Sequence, residues 1–191
     1  MNQTNGSNIK TRDTFLETER LEFSTWSEED RPLASALWGD PEVTKWISRK
    51  GFLSEDEIEA RLAQEMERQQ EMKVQYWPLF DKETGVFVGC CGLRPYAPDE
   101  KIYELGVHLT RDHWGKGYAL EASKAVIRYA FEELDAHVLF AGHHPENSVS
   151  RRLLLKLGFI YKNDEFNELT GKMHPSYILT RSDMESLHLN G

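Results

Sequence analysis

The sequence predicts an α+β fold: a mixed, mostly antiparallel central sheet with helices on both faces. Three observations carry this. Helical patterns crowd the first part of the chain. Apolar runs separated by turn residues then follow one another as an antiparallel meander, and the remainder alternates strand, helix, strand, helix, strand. With 191 residues, 39% of them hydrophobic, no internal repeat and no dividing linker, the chain reads as one domain able to bury a core. The expected limits are a disordered polar tail over 1–14, a single domain over 15–183 and a C-terminal tail over 184–191.

Taken in order, Leu21 to Trp26 alternates Leu21, Phe23 and Thr25 against Glu22 and Ser24, as a half-buried strand does. Ser27 and the acidic run Glu28 to Asp30 form a cap and first turn for a helix reaching Trp38, and Asp40-Pro41-Glu42 starts a further short turn. Ser54 caps a strong helix to about Met72. Glu57 completes a capping box, and Ile58, Leu62 and Met66 share one face. Val74 to Phe80 and Val86 to Leu93 are strands joined by a hairpin turn at Asp81 to Gly85. A loop over Pro95 to Glu100 leads to a strand over Ile102 to Leu109. Gly115 to Leu134 is a helix whose inner side carries Ala119, Ser123, Val126, Ile127, Ala130 and Phe131. His137 to Ala141 is a strand. Pro145 to Asn147 enters a helix carrying Val149, Leu153, Leu154 and Leu157, and Gly158 ends it. Phe159 to Tyr161 and Ser176 to Leu179 are the final strands.

Composition narrows the function classes. A formal charge of −9 argues against a protein that coats nucleic acid, because neutralising phosphates requires clustered Lys and Arg, and it is compatible with a cationic acceptor. No run approaches the ~18 apolar residues a membrane-spanning helix requires, and the first residues lack the apolar core of a signal peptide, so the expectation is a cytoplasmic protein with no membrane partner. Cys90 and Cys91, the only cysteines, are adjacent and so point to opposite faces of a strand, which suits neither a disulfide nor a zinc site. His113, His143 and His144 lack the spacing of a metal site, and no metal is expected.

The most informative stretch is Trp114-Gly115-Lys116-Gly117-Tyr118-Ala119. A strand that ends in a glycine loop and enters a helix is a ready anion site, because glycines let the backbone approach a ligand and free N–H groups at the helix start face it. The loop lacks the G-x-x-x-x-G-K-[ST] of a P-loop. It also fails the G-x-G-x-x-G dinucleotide spacing, since Leu120 stands three residues after Gly117. A phosphate or pyrophosphate of another kind is expected there.

Several segments together resemble the GNAT acetyltransferase superfamily. Asn147 to Phe159 resembles its N-x-x-S-x-R-x-L-x-K-L-G-F segment, and the glycine loop resembles its acetyl-CoA motif, with Gly117 and Ala119 at the last two positions and Trp114 in place of the usual Gln or Arg. Thr18-Glu19-Arg20-Leu21, Glu104-Leu105-Gly106 and Trp114 to Ala122 resemble a branch similar to bacterial ribosomal-protein N-terminal acetyltransferases (RimJ/RimL-like). The resemblance spans roughly Thr18 to Thr180.

The resemblance implies acetyl-CoA as cofactor and a splay between the strand of Val107 and that of His137 to Ala141. Val107 and Leu109 would offer backbone groups to pantetheine, with an N–H near Val107 facing the oxyanion. Trp114, Gly115, Lys116, Gly117, Tyr118 and Ala119 would cradle the pyrophosphate, with Arg152 and Lys156 either adding charge or lying solvated. Asn147 would bond the cofactor arm, cap its helix, or both, and Ser150 would be a weaker contact. Glu104 would take the amine's proton, directly or through water, or else only orient a cationic substrate. The tyrosine that many superfamily members use to protonate the leaving thiolate is replaced by Leu154, with Tyr103 and Tyr161 as unsupported substitutes. Trp46, Phe52, Tyr76, Trp77 and Tyr96 would line an acceptor pocket or fill the core. The implied reaction is direct acetyl transfer to a primary amine, preferably a protein N-terminus. The alternatives are a small amine (aminoglycoside, polyamine or amino acid derivative) and a non-catalytic acyl-CoA-binding module. Monomer and homodimer both remain open.

Overall fold

The computed structural model describes residues 12–186. Residues 1–11 of the expected N-terminal tail and 187–191 of the C-terminal one lie outside the described residues. Within the tail assigned to 1–14, Arg12 pairs with the buried carboxylate of Asp30 and stacks over Phe80, so the ordered fold takes in that residue. At the other end the last helix, α6 (Arg181–Ser186), runs past the expected limit at 183.

The described residues form an eight-stranded sheet in the order β1-β2-β3-β4-β5-β6-β8-β7. Its strands are β1 (Leu16–Glu17), β2 (Leu21–Phe23), β3 (Tyr76–Asp81), β4 (Phe87–Ala97), β5 (Ile102–Leu109), β6 (Val138–Gly142), β7 (Ile160–Asn167) and β8 (Lys172–Thr180). Every pairing is antiparallel except that of β5 with β6. Helices α1 (Arg31–Trp38), α2 (Pro41–Thr44) and α3 (Glu55–Met72) precede the meander. Two more helices, α4 (Tyr118–Glu132) and α5 (Ser148–Lys156), lie in the second half.

Two apolar layers sandwich the sheet, as the sequence predicts. On one face Trp77, Leu79, Leu93 and Leu105 pack with Val126 and Phe131 of α4 and Leu154 of α5. On the other, Tyr76 and Cys90 pack with Trp38 of α1 and Ile58 and Leu62 of α3. Cys91 belongs to the first layer, so the adjacent cysteines do point to opposite faces. The capping box of α3 is present: Ser54 Oγ accepts from the Glu57 amide at 3.3 Å and Glu57 accepts from the Ser54 amide at 2.8 Å.

Several boundaries differ from expectation. The helix after Ser27 opens as a 3₁₀ turn over Glu28–Asp30, because Asp30 folds back to accept from the Ser27 amide and hydroxyl. Pro95 to Ala97 continue β4 rather than forming a loop, with a register shift that absorbs the extra residue. Helix α4 begins at Tyr118, not Gly115, since Gly115 (φ 74°) and Gly117 (φ 85°) are left-handed. The final strands are far longer than predicted. β7 and β8 form a hairpin whose outer residues, Lys162 to Pro175, are mostly polar and carry no apolar period.

Candidate active site

Strands β5 and β6 pair only over Ile102↔Val138, Tyr103↔Leu139 and Glu104↔Phe140, although β5 continues to Leu109. From Leu105 onward β5 keeps β4 on one side and loses its partner on the other. This is the splay that the resemblance implied. The amide of Thr110 bonds Val88 O on the β4 side at 3.0 Å. Strand alternation therefore aims the backbone groups of Val107 and Leu109 into the gap. One of these is already used: the Trp114 indole donates to Leu109 O at 2.8 Å, leaving only the amide of Leu109 to meet a ligand.

A cavity of about 490 Å³ occupies the gap and extends to both sides of the sheet end. Glu104, Val107, Leu109, Trp114, Ala119, Asn147 and Ser150, separated by up to 46 positions in sequence, line it together. Gly115, Lys116, Gly117 and Tyr118 do not line its wall. Gly115 to Gly117 form the exposed turn at its mouth, and the Tyr118 ring turns into the core, where its hydroxyl donates to Asp81 at 2.7 Å. Tyr118 can thus contribute only its backbone. Arg152 and Lys156 are exposed and off the cavity wall. Of the aromatics, Trp46, Tyr76 and Tyr96 line the cavity, whereas Trp77 is buried in the core and Phe52 lies exposed elsewhere.

The glycine turn is held from behind by residues whose role the sequence did not reveal. Glu121, one turn into α4, accepts from Thr18 Oγ1 at 2.6 Å, from the Arg20 amide at 2.9 Å and from Arg20 Nε at 2.7 Å. Arg20 in turn donates to Lys116 O at 3.0 Å and stacks over the Tyr118 ring. The signal was present in the resemblance itself, since Thr18, Arg20 and Glu121 all fall inside the matching motifs. The start of α4 has no side-chain cap, so its first amides are free to meet an anion. Asn147 does cap α5, its side chain accepting from the Ser150 amide at 3.1 Å.

On the α1–α3 side the wall is charged. Glu104 lies directly across from Arg94 of β4. Burial raises the pKa of its carboxyl, against the opposing pull of Arg94 and then Arg61. No donor among the described residues bonds its carboxylate. Behind it, the fully buried Glu65 accepts from Arg94 and from the Tyr76 amide at 2.9 Å, and Arg68 lies 3.3 Å away. The Gly106 position is fixed by the Tyr76 ring, which would lie 2.2 Å from any β-carbon there. His108 accepts from the Trp38 indole at 3.3 Å, and burial, then Arg61 and Arg94, hold its pKa well below the ordinary histidine range, so it is neutral. Leu154 lines the cavity, and neither Tyr103 nor Tyr161 does. The cysteines are buried off the wall, with both thiol pKa values pushed up by desolvation.

The far wall comes from the β7–β8 hairpin. Its loop is docked to the segment after α2: the Arg49 amide donates to Leu169 O at 2.7 Å, and the Arg49 guanidinium lies against Gly171. Trp46 packs on His144, which packs on His174. No group of three or more His, Cys, Asp or Glu among the described residues is arranged to hold a metal, and no helix there is long and apolar enough to cross a membrane.

Comparison with known proteins agrees with this architecture. The family model for the acetyltransferase (GNAT) domain matches residues 20–160. The uncharacterized N-acetyltransferase p20 of Bacillus licheniformis is 33% identical over 144 residues, 75% of this chain and 81% of that protein. Among solved structures, the spermidine N-acetyltransferase of Vibrio cholerae, in complex with CoA and spermine, superposes with a TM-score of 0.74 at 16% identity, covering 88% of this chain and 99% of that one. RimL, a ribosomal L7/L12 alpha-N-protein acetyltransferase in complex with CoA, gives a TM-score of 0.73 at 14% identity, covering 85% and 95%. At such identities the two structures share the fold with this chain, and their different acceptors do not separate its branch.

Proposed function

This chain belongs to the GNAT acetyltransferase family, and on that premise we propose that it moves an acetyl group from acetyl-CoA to a primary amine by direct attack in a ternary complex. The observation that carries the proposal is the position of Glu104. It is the last residue of β5 paired with β6, and it lines the same cavity as the splayed edge and the first turn of α4.

The residues suit coenzyme A. The uncapped start of α4 and its left-handed glycines fit a pyrophosphate. The free edge of β5 at Val107 and the Leu109 amide fits the amides of a pantetheine arm, with Asn147 and Ser150 along the opposite wall. When bound, acetyl-CoA supplies an activated thioester. The chain's own part is to position and to move a proton. Glu104 takes a proton from the acceptor ammonium or amine. Its raised pKa brings it nearer to that of the amine it serves, and Arg94 and Arg61 keep its charged form available. The N–H near Val107 faces the developing oxyanion. No cysteine reaches the wall to carry the acetyl group, which favours direct attack.

For the acceptor, the docked hairpin favours a small amine. A cavity of about 490 Å³ shared with a pantetheine arm leaves room for a compact molecule, and the Arg49 amide ties down the hairpin loop whose Leu169 and Thr170 line it. A protein N-terminus is the second reading, carried by the branch motifs at Thr18 to Leu21 and Trp114 to Ala122. Thiol release from acetyl-CoA across small amines and N-terminal peptides tests both. Glu104→Gln should lower turnover by roughly 10²–10⁴-fold with acetyl-CoA affinity retained. Unchanged turnover would remove Glu104 as the base, and tight acetyl-CoA binding with no release on any acceptor would make the chain a binding module.

A further inference from the structure

The acceptor side of the cavity holds a cation with no counterpart. Arg61, on α3, lines the wall and lies over the Trp38 ring, 4.6 Å from its centroid. None of its five N–H donors meets an acceptor among the described residues, and its Nε is buried without a partner. It also has no carboxylate within ion-pair distance there. The neighbouring charges do not make up for it. Of the other carboxylates on the cavity wall, Glu42 pairs with Lys45, Glu165 accepts from the Tyr96 hydroxyl, and Glu104 lies across from Arg94, so none of them meets Arg61. Glu65 is already committed to Arg94, Arg68 and the Tyr76 amide. An unpaired cation inside a fold is costly, and a guanidinium fork held over an indole suits the two oxygens of a carboxylate.

We infer that the acceptor is a small amine that carries a carboxylate close to its amino group, as an α-amino acid does, with the carboxylate on Arg61 and the amine at Glu104. This rests on the acetyltransferase reading above and narrows its acceptor class. A zwitterion brings a carboxylate to the unpartnered Arg61, whereas a polyamine leaves that guanidinium without one. The aromatic wall of Trp46, Tyr76, Tyr96, Phe140 and Phe166 gives an apolar body a place to lie.

The test compares each common L-amino acid with its own α-amide and with the amine lacking the carboxyl group, and includes spermidine. Two readouts are used: thiol release from acetyl-CoA, and calorimetric binding to the protein loaded with unreactive CoA. Free amino acids should exceed their amides by at least tenfold, on the order of one charge-assisted hydrogen-bonded pair, in both readouts. Arg61→Met should bring that ratio close to one, and Arg61→Lys should keep part of it, with CoA binding and thermal unfolding confirming that both variants fold. Equal use of acids and amides by the native protein would overturn the inference while leaving the acetyltransferase reading intact. So would an Arg61→Met variant slowed alike on every acceptor with the ratio preserved, since Arg61 would then act only on Glu104. If no amine of any kind released thiol, the acetyltransferase reading would fail, and the calorimetric ratio would still decide whether Arg61 selects a carboxylate.

Discussion

The two ends of the cavity are made of different material. The end at the glycine turn is backbone: amides of β5 and of the first turn of α4, shaped by two left-handed glycines and braced from outside by Arg20 and Glu121. The opposite end is side chain: Glu104, Arg94, Arg61, Glu65 and a set of aromatic rings, drawn from α3, β3, β4, β5 and the β7–β8 hairpin. A backbone site presents the same N–H groups whatever the neighbouring residues are, so it suits a donor common to a whole family. A side-chain site changes with each substitution, so it is the end that we propose sets acceptor choice.

The sharpest way to break this division is Glu65→Gln. It removes the buried negative charge that Arg94 and Arg68 share, and should cost about 3 kcal/mol of stability, in the range seen when one partner of a buried ion pair is lost. Urea unfolding measures it. In the fraction that folds, acetyl-CoA affinity should persist while acceptor turnover falls. Equal damage to both would show that the two ends are not separable.

A smaller effect is expected from the other end. Gly117→Ala forces a β-carbon onto φ 85° and should cost roughly 1–2 kcal/mol. Released by a shift of the turn, that cost should appear as about a tenfold weaker Kd for CoA, read by calorimetry, with the ratio between acceptors unchanged. A change in acceptor ratio would contradict the assignment of this turn to the donor alone.

The smallest effect concerns the hairpin wall. His174 is buried against His144, donating to or accepting from Thr170 Oγ1 at 2.8 Å, and burial lowers its pKa to about 4. A histidine harder to protonate when folded binds more protons unfolded, so stability should fall as pH drops from the ordinary histidine range toward 4. Thermal unfolding from pH 7 to pH 4.5 reads the slope, and His174→Asn should flatten it.

What could be read beforehand follows the same division. Local rules place the capping box of Ser54 and Glu57, the turn after Asp81 and the glycine turn, because each is set by residues a few positions apart. The pairing of Glu65 with Arg94 spans 29 positions and gives no local pattern, and Arg61 looks like any charge on an amphipathic helix until the fold places it at the cavity. The outer halves of β7 and β8 escape notice for another reason: their residues are mostly polar and exposed, and what is buried there, such as His174, is itself polar, so no apolar alternation marks the strands. The motif residues Thr18 and Glu121 are legible as members of a resemblance, but their purpose appears only when they are seen joined, 103 positions apart.

The parting of β5 from β6 also bears on strand-edge aggregation. Unpaired strand edges usually sit at the outside of a sheet, where another molecule can add a strand and begin a fibril. Here the open stretch from Leu105 to Leu109 lies inside the sheet, flanked by β4 and, across the gap, by β6 and β8. A whole polypeptide strand of a neighbour would have to enter a wedge that narrows to full pairing at Glu104. A thin, unbranched chain can slide in from the wide end. The fold thus keeps a row of unsatisfied backbone groups ready for use without offering a nucleus for aggregation.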